Sequence, residues 1–319
     1  MSQIQTKVLK QGTVHPKVIS CSFFTFKEAY RAFKKYIDSL NAFLFKLSII
    51  KTIHKHFEIR IYTDDTGKDE ALKAAEKYPD VSVIHFDCPE FRDGDGHLGF
   101  FGSLVRLLPL FEDHELVWIS DIDIHLAYLQ EWNFKEDIGF SNQLCYTEVR
   151  SQKYAIVLLK FLSKVKFPKQ LLTRFLNKFL DGSLKEKIAR INDHNKSKPF
   201  SPFPYGIDEL FVSSSIYDWI KRRDFKICLY LDFLIHELRL FIINNNLTEK
   251  YEKIVYQNYI KRLTPIKDSL PAIKNLLRIC YTEIVKKNPC AQQYLDILND
   301  PKSLKTSIFP KLLINSSDL

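Results

Sequence analysis

Asp121-Ile122-Asp123 stands directly behind the apolar run Leu116-Val117-Trp118-Ile119. The run has the length and composition of a buried strand, so the two carboxylates leave it together where it meets solvent. In an open α/β sheet, ligands collect at the carboxyl ends of the strands. Two hard oxygen donors one residue apart can hold a divalent cation such as Mg²⁺ or Mn²⁺ against a diphosphate. The same tripeptide can also simply close a strand and begin a turn. What surrounds it in the chain weighs one reading against the other.

The elements that must position the pair alternate. Residues 18–23 read as a first buried strand. Residues 27–56 carry Ala29, Phe33, Ile37, Leu40, Leu44 and Leu47 at helical spacing. A second strand at 57–62 ends in the turn Thr63-Asp64-Asp65-Thr66-Gly67. A helix at 68–78 is stopped by Pro79, and 81–86 reads as a third strand. Asp93-Gly94-Asp95-Gly96 reads as a flexible loop that could close over a neighbouring pocket, and a helix follows over 100–111. This βαβαβ rhythm predicts a mainly parallel sheet with right-handed crossovers. Residues 150–198 turn basic and amphipathic and read as two or three inserted helices. Beyond the rigid loop Ser201-Pro202-Phe203-Pro204-Tyr205-Gly206, the chain from Ser213 reads as helical, broken at Pro265, Pro271, Pro289 and Pro301. The expected organisation is an α/β domain over 1–240, with the basic insertion at about 150–200, and a helical extension over 241–319 packed on it.

With 319 residues, 45% hydrophobic and 27% charged, the chain is that of a globular protein with a substantial core. Its net charge of +9 is uneven: residues 1–150 hold 18 Lys/Arg against 22 Asp/Glu, and 151–319 hold 29 against 16. A basic second half suits an anionic partner or a solvated face. The six cysteines, Cys21, Cys88, Cys145, Cys228, Cys280 and Cys290, include no CxxC pair, which argues against a zinc cluster and for a reducing compartment. With no signal-peptide h-region and no spanning apolar stretch, a cytoplasmic location is expected. No GxxxxGK[ST], GxGxxG or GxSxG occurs, so nucleotide-loop, dinucleotide and serine-hydrolase readings lack a motif.

The segment before the Asp pair is more specific. Arg106 and Pro109 on a helix, the acidic turn Glu112-Asp113-His114-Glu115, then a strand and Asp-x-Asp resemble the donor-site segment of GT-A-fold glycosyltransferases. Tyr205-Gly206-Ile207-Asp208-Glu209-Leu210-Phe211 resembles the G-x-D-E segment that many such enzymes carry at the acceptor side. The resemblance spans roughly 17–240, leaving out the basic insertion. It implies a GT-A-like (Rossmann-like), mainly parallel sheet flanked by helices, with Asp121 and Asp123 holding Mn²⁺ or Mg²⁺ against a nucleoside-diphosphate sugar. It further implies that Ser22, Phe23, Tyr62, Asp64 and Asp65 receive base and ribose, with Ser120 and Asp121 beside them. Arg106 would neutralise phosphate or hold the donor sugar, which its planar fork suits. The alternative for Arg106 is an ion pair with Glu112 or Asp113. His236 would complete the metal shell, unless it is an ordinary residue of its apolar run; His125 is a weaker candidate. Should the reaction invert the anomeric centre, Asp208 first and Glu209 second would serve as general base. Both acids would equally suit the first turn of a helix beginning near Leu210.

Three functions stay open at this point. The first is sugar transfer from a UDP-sugar, or a GDP-sugar, to a hydroxyl of a glycan, protein or lipid, with no nucleic acid expected as partner. The basic helices would then allow a peripheral membrane contact with a lipid-linked acceptor. The second is nucleotidyl transfer, for which Gly102-Ser103 upstream and a third carboxylate downstream would join the Asp pair in two-metal catalysis. The third is a non-catalytic basic binding module.

Overall fold

A computed structural model describes residues 4–25, 32–50, 53, 55–123, 143–148, 156–194, 203–230 and 311–315, together with single helical positions at 278, 282 and 286. Strands β1 (Gln5–Lys10) and β2 (Lys17–Ser22) lead to helix α1 (Phe33–Ile49), then β3 (Glu58–Thr63), α2 (Lys68–Ala75) and β4 (Val81–Asp87). A small hairpin, β5 (Arg92–Asp93) with β6 (Gly96–His97), precedes α3 (Phe101–Val105), a 3₁₀ turn at Leu108–Phe111 and β7 (Leu116–Ile119). Strands β8 (Leu144–Glu148) and β9 (Ile156–Ser163) follow, then helices Gln170–Leu180, Lys185–His194 and Ile207–Phe211, and finally β10 (Lys226–Tyr230) and β11 (Lys311–Asn315).

Nine strands form one sheet in the order β1-β4-β3-β2-β7-β9-β8-β10-β11. Its heart, β4-β3-β2-β7, is parallel throughout, as the βαβαβ rhythm requires. The fold is thus α/β and GT-A-like (Rossmann-like), with antiparallel strands added around the parallel block: β1 on β4, β9 between β7 and β8, and β11 on β10. Strand order reverses between β2 and β7, because the chain leaves β4 and crosses back over β3 and β2 to lay β7 on the far side. Such a switch point opens a crevice between two strand ends.

The strands sort their side chains by parity. On β7, Leu116 and Trp118 face the cluster built with α1 and α2, while Val117 and Ile119 face the cluster built with α3 and the later helices. Helix α1 buries Leu40, Phe43, Leu44 and Leu47, a stripe at i, i+3, i+4 and i+7. On the opposite face, Phe101 packs against Phe86, Phe91, His97 and Phe203, with ring centroids 4.8 to 6.3 Å apart.

Several expectations are corrected. The single helix over 100–111 is two elements, since Pro109 cannot donate to a continuing helix and the chain tightens into a 3₁₀ turn. The break leaves Arg106 at the C-terminal cap of α3. Within the basic insertion, Ile156–Ser163 is β9 and not helix: eight largely apolar residues serve as a strand as well as a helical turn, and periodicity cannot separate the two. The Asp93–Gly96 loop is a tight hairpin, with Gly94 at φ 65° and buried His97 anchoring it. Strand β1 forms in a stretch where no element is expected, and β10 and β11 replace stretches read as helix, so the C-terminal region is not wholly helical. The rest of the expected 241–319 extension lies outside the described residues, apart from the three single positions.

Phe101→Ala removes a fully buried ring from the centre of the aromatic cluster. The variant is expected to lose about 3–5 kcal/mol in urea-induced unfolding, followed by intrinsic fluorescence.

Candidate active site

The carboxyl ends of β2 and β7 are neighbours, and the backbone ladder runs one residue past β7 through a Ser120 N–H donated to Ser20 O at 2.9 Å. Beyond these ends lies a cavity of about 150 Å³. Ser22 at the end of β2 and Phe23 and Phe24 just after it line one side, and Asp121, Ile122 and Asp123 line it from the segment after β7. Ser103 and Arg106 come from α3, and Gly206, Asp208 and Glu209 from the start of the helix Ile207–Phe211. Tyr36, Phe100 and Tyr205 add aromatic surface.

Arg106 ties these elements together. Its guanidinium is buried, yet one nitrogen donates to both Ser120 O at 3.0 Å and Asp121 Oδ1, and the other donates to Asp208 Oδ2 at 2.5 Å. Its own carbonyl accepts from Ser20 Oγ at 2.6 Å, which pins α3 on β2. Burial opposes the guanidinium's charge, but the carboxylates of Asp121 and Asp208 outweigh it and hold Arg106 firmly cationic. The local alternative for Arg106 is not what forms. Glu112 pairs with Arg60 at 2.6 Å, and Asp113 with Lys166 at 2.5 Å.

Asp208 and Glu209 occupy the first turn of their helix, where acids meet the positive end of the dipole. Gly206 precedes them at φ 81°, a left-handed turn that glycine adopts without strain. Asp208 is committed on both oxygens, since Oδ1 accepts the Glu209 N–H at 3.0 Å while Oδ2 holds Arg106. Glu209 is different. Burial, then the negative charges of Asp208 and Asp121, push its carboxyl up to about 8, against the pull of Arg106. Partial burial in the cavity wall also raises the Asp121 carboxyl; its outer side stays in solvent, and Arg106 counters the rise.

Four carboxyl groups, Asp121, Asp123, Asp208 and Glu209, therefore border one cavity with a single guanidinium among them. Among the described residues no three His, Cys, Asp or Glu side chains are grouped as a ready-made metal cage. Mg²⁺ does not need one, because it is commonly held by one or two carboxylates together with substrate phosphates. Hard oxygen donors and a surplus of negative charge make Asp121 and Asp123 a fitting pair for a divalent cation delivered with a phosphate.

Other expected site residues lie elsewhere. Asp64 is buried, where it accepts from Thr66 N at 3.0 Å and Thr66 Oγ1 at 2.5 Å and sits 3.1 Å from His97 Nδ1. Asp65 is taken by Lys68, His85 and Arg92. Tyr62 is buried in the core. None of these three lines the cavity: Asp64 and Asp65 are turned to the β5–β6 hairpin, held by His97 and Arg92, and Tyr62 points into the core. Ser120 lies behind the wall, its hydroxyl donating to Asp121 O at 3.0 Å. His236 and His125 fall outside the described residues. The cavity-lining residues that sequence reading missed are Phe24, Tyr36 and Phe100, aromatic side chains with no motif to mark them. Ser103, named above only for nucleotidyl transfer, also lines the cavity, and Gly102 before it is needed because a Cβ there would come 2.5 Å from the Phe24 ring. The described free cysteines, Cys21 and Cys88, are buried thiols pushed up to about 12 chiefly by burial, and neither is a nucleophile.

No family model matches the chain, and no curated protein does. Among solved structures, the 4-diphosphocytidyl-2C-methyl-D-erythritol synthase from Anaerococcus prevotii DSM 20548 is similar over 52% of this chain and 74% of that one, at 14% identity and a TM-score of 0.29. So slight a likeness says nothing of the reaction performed here.

Arg106→Leu leaves Asp121 and Asp208 without their shared counter-charge and should cost about 3–5 kcal/mol of stability. Adding Asp208→Leu should recover part of that loss in the same denaturation assay, since an apolar pair outlasts a broken ion pair. For Glu209 the raised folded-state value fixes the sign. The protonated form is favoured on folding, so its contribution is complete below the unfolded carboxyl range and is lost as pH rises through about 8. Glu209→Gln should therefore melt close to wild type near pH 5 and increasingly above it towards pH 9.

Proposed function

We propose that this cavity transfers a group from a nucleotide substrate, and that the reaction is sugar transfer from a nucleoside diphosphate to a hydroxyl acceptor. The observation that carries the reading is the convergence of Asp121, Asp123, Asp208 and Glu209 around Arg106 at the switch point of a parallel sheet. A volume of about 150 Å³ suits a diphosphate and its cation, with the nucleoside lying outward along the aromatic wall of Phe23, Phe24 and Tyr36. Asp121 and Asp123 would hold Mn²⁺ or Mg²⁺, which takes up negative charge from the leaving diphosphate. Arg106 keeps Asp121 oriented and adds a fixed positive charge beneath it, preorganised before substrate arrives.

In this reading Glu209, and not Asp208, serves as the base. Asp208 spends both oxygens on Arg106 and on the Glu209 N–H, so it is a positioning residue. Glu209 borders the cavity with a carboxyl poised near neutral pH, which suits a group that must accept a proton from a hydroxyl and give it up again. A second reading, nucleotidyl transfer, is favoured by Ser103, which lines the same cavity as the Asp pair one residue after Gly102.

The test is a product analysis. Incubation with UDP- and GDP-sugars and Mn²⁺ should release the nucleoside diphosphate, faster when the right acceptor is present. Asp121→Ala and Asp123→Ala should each lower turnover by at least about 100-fold while the fold persists. Unchanged turnover in both variants sinks the reading. Pyrophosphate released from a nucleoside triphosphate with Mg²⁺, and none of the former products, replaces it with nucleotidyl transfer.

A further inference from the structure

The helix that opens with Asp208 and Glu209 does not stop at Phe211. It runs on through a π turn at Val212–Ile216 into Tyr217–Ile220. The inner end borders the cavity described above, and the outer end forms one wall of a second hollow of about 620 Å³. Helix Gln170–Leu180 and the start of Lys185–His194 make the facing wall. The two hollows therefore share one helix, separated by roughly 10–15 Å at the rise of an α-helix.

This groove is lined by five cations: Arg174, Lys178 and Lys187 from one wall, Arg222 and Arg223 from the other. Asp218 is the one acid among its lining residues. All five cations are exposed, so none is there to fill the core. Arg174 and Lys178 are one helical turn apart, a spacing at which like charges repel. Repulsion within one wall and across the groove is unfavourable for folding, and an anion bound between the walls relieves it. The π turn brings Ser214 and Ser215 to the groove as hydroxyl donors; π turns of this kind recur at functional sites. Arg223 is already oriented, its guanidinium 3.8 Å from the centre of the Trp219 ring and donating to Trp219 O at 2.9 Å.

The shape selects the class of ligand. A membrane contact would need the apolar side of Gln170–Leu180 turned outward, but Leu172, Phe175 and Leu176 are buried against the domain. What the helix presents instead is a concave basic wall within the size range of small-molecule sites. Guanidinium forks, ammonium groups and hydroxyls are the donors that recognise phosphate oxygens. We propose that this groove is a second binding site, for a small ligand carrying more than one phosphate, held by Arg174, Lys178, Lys187 and Arg222. It does not depend on which group the first cavity transfers.

Calorimetric titration of the full chain with inorganic tripolyphosphate in EDTA tests it, since chelation keeps a divalent cation from drawing the probe to Asp121. Wild type should bind. Arg174→Gln with Arg222→Gln should weaken binding by about tenfold or more, as the loss of charge-assisted hydrogen bonds predicts. Lys178→Gln with Lys187→Gln is the second variant, and all four positions are exposed, so melting temperatures without ligand should stay near wild type. Asp121→Asn should bind tripolyphosphate as wild type does. Equal affinity in both groove variants overturns the proposal. So does capture of phosphatidylserine vesicles or single-stranded RNA by a chain that does not bind tripolyphosphate.

Discussion

A buried guanidinium must be surrounded by acceptors, and the site described here is the consequence of that demand. Arg106 is 6% exposed. Taking such a group out of water is costly unless carboxylates and carbonyls replace the solvent in good geometry. Two separate pieces of chain supply them, the extension of β7 through Ser120 and Asp121 and the first turn of Ile207–Phe211 through Asp208, while the Ser20 hydroxyl of β2 donates to the Arg106 carbonyl and fixes the backbone that carries the side chain. An apolar side chain would fill the same volume with less desolvation. That the fold carries an Asp–Arg–Asp triad there instead is the mark of a site shaped for charge.

The surroundings are built to hold the triad steady. Behind it, Phe101, Phe86, Phe91 and Phe203 pack α3 against the sheet, and the buried His97 joins the same stack. His97 is wedged between Asp64 at 3.1 Å and the Cys88 N–H at 3.1 Å, which fastens the β5–β6 hairpin beside the strand ends. The left-handed turn at Gly206 swings the chain so that Asp208 enters the triad. The same helix borders a second charged hollow at its far end, so that its inner end lines an acidic cavity and its outer end a basic one.

Much of the framework was legible because its signals are local. The parallel β4-β3-β2-β7 block follows from short apolar runs alternating with amphipathic helices, and β7 matches its apolar run residue for residue. Where the signal was ambiguous, reading failed for identifiable reasons. Ile156–Ser163 is apolar almost throughout, so its neighbours β7 and β8, and not its own pattern, make it a strand. β1 and β11 are edge strands whose pairing partners lie 73 or more residues away in the chain, beyond the reach of a window. Asp64 and Asp65 sit at a strand end, the right address for a ligand group, yet Thr66, His97, Lys68 and Arg92 claim them first.

What the sequence determined by itself was an inventory with an order: an Asp pair behind a buried strand, an Arg on the helix before it, and an Asp-Glu pair behind a glycine far downstream. Backbone periodicity and residue chemistry are local properties, so they survive in a string of letters. Only the tertiary structure decided that Arg106 ignores the acids six and seven residues away and reaches Asp208, 102 residues on. It alone separated Asp208, committed on both oxygens, from Glu209, whose carboxyl is pushed up beside it. Burial and charge proximity are properties of three-dimensional neighbourhoods, and only the folded sheet brings those neighbours within a few ångströms of one another.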